Sequence, residues 1–429
     1  MVDVRRRVDW PSVWQLVLCS VTGLGLLGAA VIFALVGLGQ LISPELGGTE
    51  LASQALLTAA GLSLGGLLML PSIWYAWRRL NGYAIPALVR QGKAIHWLLP
   101  TLLLAAIYAL VLWLGNAAAS QATLSWLLLP ILNILAVGLP ILWLTWLALR
   151  GLAAGSAQRG WGIFDSGMVL GPLIILIVEI VLMGVIGMLW LIAISRQPAL
   201  MEEMIDLFER LRYTPPVEDI YLRMLGPYLT RPAVLFTLFA YVAVLVPLIE
   251  EALKPIGLWL LAGRSMTTAQ GFAGGALSGA GFALFETLGN ASMAGEDWTT
   301  LVVSRIGTAV IHITTTGLMG IALAKAFRGR SWLGLGLTYL GMVSVHGLWN
   351  GLAILGIGAL DVPDFLALPP LIERFSSLAI PGLGILLGGS FVTLLVANRK
   401  LRQPSALDIP ANLEFAEEET VDGNNLTDH

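Results

Sequence analysis

The sequence predicts an all-α integral membrane protein, a polytopic bundle of about ten transmembrane helices with both termini in the cytoplasm. Apolar residues make up 57% of the 429 residues and charged residues only 12%, and the mean hydropathy is +0.82. Apolar runs of about 20 residues, the length that crosses a bilayer, recur along the whole chain. Basic residues cluster in alternate connections, which is the pattern of a chain that crosses a membrane repeatedly.

Ten apolar runs define the predicted spans. Each run is long enough to cross the hydrocarbon core as a helix, and each is bounded by polar or charged residues. The spans cover residues 14–38, 52–77, 95–117, 124–149, 167–195, 233–262, 268–293, 301–323, 332–357 and 375–397.

The distribution of basic residues predicts the orientation of these spans. Lys and Arg gather near both termini and in every second connection, whereas the opposite connections carry mainly acidic or uncharged residues. The basic positions assigned to the cytoplasmic side are Arg5 to Arg7, Arg78, Arg79, Arg90, Lys93, Arg150, Arg159, Arg264, Lys325, Arg328, Arg330, Arg399 and Lys400.

The chain divides by content into three predicted segments. Residues 1–231 contain the first five spans, and residues 232–397 contain the last five. Residues 398–429 form a tail with seven acidic residues and no Lys or Arg after position 402. Such a composition predicts a disordered cytoplasmic tail.

The connection 196–231 is unusually long and polar for a loop between spans. Apolar side chains recur there at helical spacing among Glu and Arg residues, as in a helix that lies on the outer membrane surface. A plain connecting helix fits the pattern equally well. The apolar positions are Leu200, Met204, Phe208 and Leu211.

Ionisable side chains within the spans point to the functional region. Each costs roughly 2.5 to 3.5 kcal/mol at the centre of a membrane helix, so such residues persist mainly at functional sites or beside buried partners. All but Glu179 lie in spans six to nine. The sequence does not decide whether Glu179 is a proton-relay group, a partner of Arg305 or a tolerated buried acid. The others are Glu250, Glu251, Lys254, Glu286, Arg305, His312 and His346.

Spacing predicts which of these side chains face one another. Both histidines fall near the middle of the bilayer when depth is counted from the flanking charges. Glu250 shares a helix face with Lys254, and His346 with Asn350, because each pair is four residues apart. Glu286 is displaced in depth from the glutamate pair by roughly 13 Å at 1.5 Å per residue. Gly271, Gly275 and Gly279 form a small-residue ridge suited to close helix packing.

Two histidines and several carboxylates on neighbouring helices are the groups that a zinc hydrolase uses. The same groups could also polarise water without a metal ion. The residues alone leave both mechanisms open. The single cysteine, Cys19, excludes a disulfide framework and a thiolate metal site.

The order of these motifs resembles the PrsW family of intramembrane metalloproteases. Residues 250–254 read EEALK, residues 285–290 read FETLGN, Arg305 precedes His312 by seven residues, and residues 346–350 read HGLWN. The family pattern of EExxK, FExxxY and two further histidine helices occurs here in that order from Pro232 to Gly356. Asn290 stands where the family has a tyrosine. The motifs are distantly similar to the CAAX prenyl protease and Abi superfamily as well.

The resemblance implies an intramembrane endopeptidase and a role for each motif residue. Glu250 or Glu251 would activate water, with Asn350 binding the oxyanion. His312, His346 and Glu286 would hold a divalent metal ion, expected to be zinc. Lys254 and Arg305 would serve as structural counter-ions for the glutamates.

The resemblance also implies the setting and the partners of the protein. A multi-pass protein of the cell membrane would act on a membrane protein substrate, an anti-sigma factor by analogy with the family, within the lipid bilayer and without nucleic acid. Three rival functions remain: a proton- or cation-coupled transporter, a metal-independent peptidase like those of the CAAX and Abi group, and an inactive scaffold. No inverted repeat, the usual mark of a transporter, is evident in the sequence.

Overall fold

The computed structural model describes residues 9–42, 48–89, 98–215, 218–292, 297–329, 331–360 and 374–402. Within these ranges the regular structure is helical, apart from one isolated antiparallel bridge between Ala87 and Ser156. The predicted all-α class is confirmed. The acidic tail from residue 403 onward and the arginines at positions 5 to 7 lie outside the described residues.

Helices α1 to α9 make up the N-terminal part of the chain. A π-helical turn, π1 (Ser166–Leu170), joins α6 to α7 without a break in the helical stretch. The bounds are α1 (Trp10–Ile42), α2 (Gly48–Leu68), α3 (Leu70–Leu80), α4 (Leu98–Ala119), α5 (Ala122–Leu149), α6 (Ala157–Asp165), α7 (Gly171–Ser195), α8 (Pro198–Tyr213) and α9 (Glu218–Leu229).

Helices α10 to α16 make up the C-terminal part. A second π-helical turn, π2 (Tyr241–Leu245), joins α10 to α11. The bounds are α10 (Pro232–Ala240), α11 (Val246–Leu253), α12 (Ile256–Trp259), α13 (Thr268–Ala291), α14 (Trp298–Gly329), α15 (Trp332–Leu360) and α16 (Ala379–Leu401).

The described part of each of the ten predicted spans is mainly helical. Within the described ranges, eight helical stretches are long and apolar enough to cross a membrane, so a multi-pass membrane protein is confirmed. The other two predicted spans correspond to α13 and α15, of 24 and 29 residues. The count of ten spans and the cytoplasmic position of both termini stay predictions.

Helices α13 and α14 form the packed centre of the molecule. A Cβ atom on Gly275 would collide with the carbonyl oxygen of Thr316, and Gly271 and Gly320 approach each other in the same way. The two backbones are therefore in direct contact, as small residues permit between membrane helices. This contact agrees with the packing role predicted for the glycine ridge. It also explains the modest hydropathy of α13, whose surface faces protein rather than lipid.

The N-terminal and C-terminal helices share one core. The buried indole of Trp298 on α14 donates a 2.9 Å hydrogen bond to Asn133 on α5, and Asn398 on α16 donates to the carbonyl oxygen of Ala148 over 2.8 Å. Buried apolar residues from both parts belong to the same cluster. The predicted segment boundary between residues 231 and 232 stays a prediction.

Helices α8 and α9 correspond to the predicted amphipathic segment. Glu203 on α8 accepts a 3.0 Å hydrogen bond from Tyr228 on α9 and pairs with Arg231 at 3.3 Å. Phe208 is exposed on α8, whereas Leu207 is buried. The helical character is observed, and a location on the outer membrane surface stays a prediction.

The helix that carries the double glutamate is interrupted on both sides. π2 widens it ahead of Pro247, and α11 ends at Leu253, just before Pro255, which has no backbone N–H to continue the helix. The hydroxyl of Ser278 donates a 2.6 Å hydrogen bond to the carbonyl oxygen of Lys254 at this break. Wide helical turns of the π type occur often at functional sites, and this one lies one turn from Glu250.

Replacing Gly275 by alanine should separate α13 from α14 and lower the free energy of unfolding by about 1 to 3 kcal/mol, because the new methyl group meets backbone oxygen. The free energy of unfolding can be measured with the purified protein in mixed micelles. Gly289→Ala on the same helix is the matched control. Its Cβ meets nothing within 4 Å, so it should be neutral or stabilising by up to about 1 kcal/mol. Equal losses in both variants would contradict the close packing.

Candidate active site

Helix α11 and its C-cap residue Lys254 direct three charged side chains into the protein interior. Lys254 Nζ lies 2.8 Å from Glu250 Oε2 and 3.0 Å from Glu251 Oε1. The side chains of Lys254 and Glu251 are fully buried, and that of Glu250 nearly so. Buried charges are costly unless they are paired. One ammonium group thus compensates two adjacent carboxylates.

His312 of α14 and His346 of α15 face the same ammonium group. Their Nδ1 atoms lie 2.7 Å and 3.3 Å from Lys254 Nζ. The two rings are nearly perpendicular, with centroids 5.1 Å apart. The structure therefore brings the two mid-span histidines and the glutamate pair together around Lys254.

Each imidazole also contacts a carboxylate through one ring nitrogen. His312 Nε2 lies 2.8 Å from Glu286 Oε2, and His346 Nδ1 lies 3.0 Å from Glu251 Oε1. A neutral imidazole has a single N–H, so donation to the carboxylate leaves the other nitrogen with its lone pair. These partners leave the lone pairs on His312 Nδ1 and His346 Nε2, and a metal ion bound at His312 Nδ1 would replace the Lys254 ammonium that lies 2.7 Å from it. Histidine ligands of metal ions are commonly oriented by carboxylates in this way.

Glu286 is in direct contact with the site, which corrects the separation expected from depth. Its carboxylate pairs with Arg305 as well as with His312. Residue counting ignored helix tilt and the reach of both side chains, and these together close the offset of roughly 13 Å that a rise of 1.5 Å per residue gave. Arg305 is the counter-ion of Glu286, and Lys254 is that of the glutamate pair.

Three potential metal ligands cluster among the described residues. Glu250, His312 and His346 each offer one ligand atom, and these atoms all lie within 4.8 Å of one another. Two imidazoles and one carboxylate form a common ligand set of catalytic zinc sites. The sequence prediction had Glu286 as the third ligand, whereas in the structure Glu286 contacts the far nitrogen of His312. Glu250 takes the place beside the two histidines.

The donor set fits a divalent cation. Glu251 Oε2 is buried and forms no hydrogen bond with the described part of the chain, and the buried Glu250 Oε2 lies 2.8 Å from the Lys254 ammonium. Buried carboxylate oxygens without donors are expensive. A cation beside them would offset that cost, and Lys254 shows that a positive charge is accommodated among these donors.

Phe282 is a member of the site that the sequence analysis missed. Its ring centroid lies 4.7 Å from Lys254 Nζ and 5.0 Å from the centroid of His312 in an edge-to-face arrangement. A cation over an aromatic face is attracted to the ring, more strongly when both are dry. The sequence contained one indication of this role, because Phe282 precedes Glu286 by one helical turn and shares its helix face.

Asn350 is joined to π2 rather than to the glutamates and histidines. Its side-chain amide donates a 3.1 Å hydrogen bond to the carbonyl oxygen of Val242. That bond ties α15 to the widened turn next to Glu250. Binding of an oxyanion by Asn350 stays a prediction, for which the amide nitrogen has two N–H groups, one of them bonded to Val242.

The fold and the site together define a polytopic membrane protein with a buried cluster of carboxylates and imidazoles. Residues 216–372 match the model of the PrsW family intramembrane metalloproteases. The segment that carries the site is therefore similar to this family, and the predicted resemblance and the prediction of an intramembrane protease are confirmed. No curated protein and no solved structure shows significant similarity to the chain.

The substitution Lys254→Met should destabilise the metal-free protein by about 3 to 5 kcal/mol, because it leaves two buried carboxylates without their cation. Thermal unfolding after chelator treatment measures this loss. A divalent metal ion should then raise the melting temperature more in the variant than in the wild type, because the metal replaces the missing charge.

The matched control for this experiment is Lys325→Met, since Lys325 is exposed. It should leave the melting temperature and its response to metal unchanged. A metal-free Lys254→Met protein as stable as the wild type would show that the ammonium is not the compensating charge.

Proposed function

We propose that this protein is an endopeptidase that hydrolyses a peptide bond in a membrane-embedded or membrane-proximal protein substrate. One observation carries the proposal: two imidazoles, each contacting its own carboxylate, present their remaining nitrogens beside Glu250 in a buried site. A channel or transporter needs ion ligands but no such pairwise orientation of histidines. Hydrolysis benefits from it, because catalytic groups must be held in fixed positions.

Glu250, His312 and His346 would hold the metal ion, which we propose to be zinc. Neutral imidazole and carboxylate ligands suit zinc, and zinc sites of this composition leave a position open. The ion would supply polarisation of the substrate carbonyl and acidification of a water molecule. Glu286 and Glu251 keep the two rings oriented through their hydrogen bonds. Arg305 holds Glu286 in turn.

Glu251 is the proposed proton acceptor. Its Oε1 atom contacts Lys254 and His346, whereas its buried Oε2 atom makes no hydrogen bond within the described residues. A carboxylate with one anchored and one free oxygen can take a proton from the attacking water and return it to the leaving amine. Lys254 keeps the acceptor ionised before the reaction by placing a positive charge 3.0 Å away.

The substrate is proposed to be another membrane protein, for which an anti-sigma factor is the candidate that the family resemblance offers. We propose the cell membrane as the location. A transmembrane helix hides its peptide bonds within its own hydrogen bonding, so the segment to be cut must unwind before its carbonyl reaches the site. Substrates with helix-weakening residues near the cut would therefore be favoured.

The double substitution His312→Ala with His346→Ala should abolish both metal binding and cleavage, because it removes two of three proposed ligands. Elemental mass spectrometry of the purified protein gives the metal content, and a model transmembrane substrate gives cleavage. His96→Ala is the control, as no role is predicted for that histidine. Wild-type cleavage that resists chelators would favour the metal-independent peptidase, and ion flux in liposomes without cleavage would favour a transporter.

Single glutamine substitutions should separate the two adjacent glutamates. Glu250→Gln is expected to lower the metal content, because a neutral amide is a poor zinc ligand. Glu251→Gln is expected to keep the metal but to reduce kcat by about 10²- to 10⁴-fold, the usual contribution of a general base. Metal content and kcat, measured on both variants, test the assignment. The opposite pattern would exchange the two roles.

A further inference from the structure

Glu179 is a charged residue of the membrane bundle that the proposed chemistry does not use. It is the one ionisable side chain in the 25 residues of α7. A charge at such a position is costly, and intramembrane carboxylates usually face a partner or a functional cavity. α7 lies outside residues 216–372, the part matched by the family model.

The side chain of Glu179 lies on the inward face of α7. Its neighbours Val178 and Ile180 are exposed, whereas Ile175, one turn away, is buried and Leu182 is partly covered. The Oε1 atom of Glu179 is buried and accepts no hydrogen bond from the described residues. A buried acceptor without a donor destabilises the protein. The inward carboxylate therefore has unused capacity to accept a hydrogen bond.

Glu179 lies next to the proposed catalytic site. It is close enough to Glu250, Glu286 and Lys254 to interact with them electrostatically, and the hydroxyl of Tyr241 in π2 donates a 3.4 Å hydrogen bond to its backbone carbonyl oxygen. Arg305 is occupied by its ion pair with Glu286. The sequence left open that Glu179 is the partner of Arg305, and this pairing is not observed among the described residues.

The site opens towards the outside of the bundle at Glu286. The side chain of Glu286 is 30% exposed, whereas those of Lys254 and Glu251 are fully buried. The nearby helix α10 and the turn π2 contain no buried residue. A substrate segment would thus approach the site from the side of Glu286, the most exposed of Glu250, Glu251 and Glu286.

An unwound substrate segment within the membrane has backbone N–H groups that need hydrogen-bond acceptors. Each backbone N–H released from a substrate helix requires an acceptor, because the hydrocarbon core provides no water. Glu179 offers an unused carboxylate oxygen beside the site, on an otherwise apolar helix. We propose that Glu179 is a substrate-positioning residue whose carboxylate accepts hydrogen bonds from backbone N–H groups of the unwound substrate segment. This inference rests on the proposed function and extends it to substrate selection.

Binding of fluorescent transmembrane peptides to the full chain in nanodiscs tests the proposal independently of cleavage. One peptide contains a central Gly-Pro pair that unwinds the helix, and the other is an uninterrupted Leu and Ala helix. The wild type should bind the interrupted peptide more tightly. Glu179→Leu should weaken that binding about 10-fold, which is the loss of one charge-assisted hydrogen bond, and should leave the uninterrupted peptide unaffected.

Two further variants make the result specific. Glu179→Gln keeps an acceptor oxygen and should bind within about threefold of the wild type. Glu202→Leu removes an exposed carboxylate from α8 and should change nothing. In cleavage assays Glu179→Leu should raise KM about 10-fold with kcat and metal content unchanged, since the residue positions substrate and holds no reacting atom.

Several results would overturn the inference. One is equal binding of the interrupted peptide by the wild type and Glu179→Leu. A loss of kcat without a change in KM in both Glu179 variants would indicate proton transfer instead. A loss of metal or of folding would indicate a structural role. If the wild type binds the interrupted peptide selectively but never cleaves, the proposed function fails and the inference stands. If it binds neither peptide, the inference fails.

Discussion

The contact between the Lys254 ammonium and the adjacent carboxylates of Glu250 and Glu251 is the interaction on which the rest of the site depends. Two neighbouring carboxylates inside a membrane protein would repel each other and lose their hydration, so they need a fixed positive charge. The same ammonium contacts both histidines and lies over Phe282. Helices α11, α13, α14 and α15 thus meet around one charge, and their relative positions follow from it.

Close packing of α13 against α14 makes this convergence possible. Backbone contact at the glycine ridge brings Glu286 and Phe282 of α13 within reach of His312 on α14. The break at Pro255, stabilised by the Ser278 hydroxyl, ends α11 directly before Lys254. Small residues, a proline and one hydroxyl therefore place the chemical groups without taking part in the chemistry themselves.

Charge balance links the proposed chemistry to the environment of the site. Three carboxylates are compensated by Lys254 and Arg305 within the described residues, which leaves one negative charge to be matched by a bound cation. A divalent metal ion would give the site a net charge of about +1. A negatively polarised substrate oxygen bound to the site would offset that positive charge. Glu179, whose Oε1 atom accepts no hydrogen bond within the described residues, lies just beyond this balanced group, where we propose that the substrate supplies the partner.

The sequence by itself determined the membrane class, the helical spans and the ionisable residues that matter, because hydrophobic length and the high cost of intramembrane charge are both readable residue by residue. It also established the order of motifs that resembles a protease family. Only the tertiary structure decided that Glu250 clusters with both histidines while Glu286 contacts His312 and Arg305, that Phe282 belongs to the site and that Asn350 binds Val242. Those relations depend on helix tilt, side-chain reach and the widened π2 turn, which periodicity along a single helix does not contain.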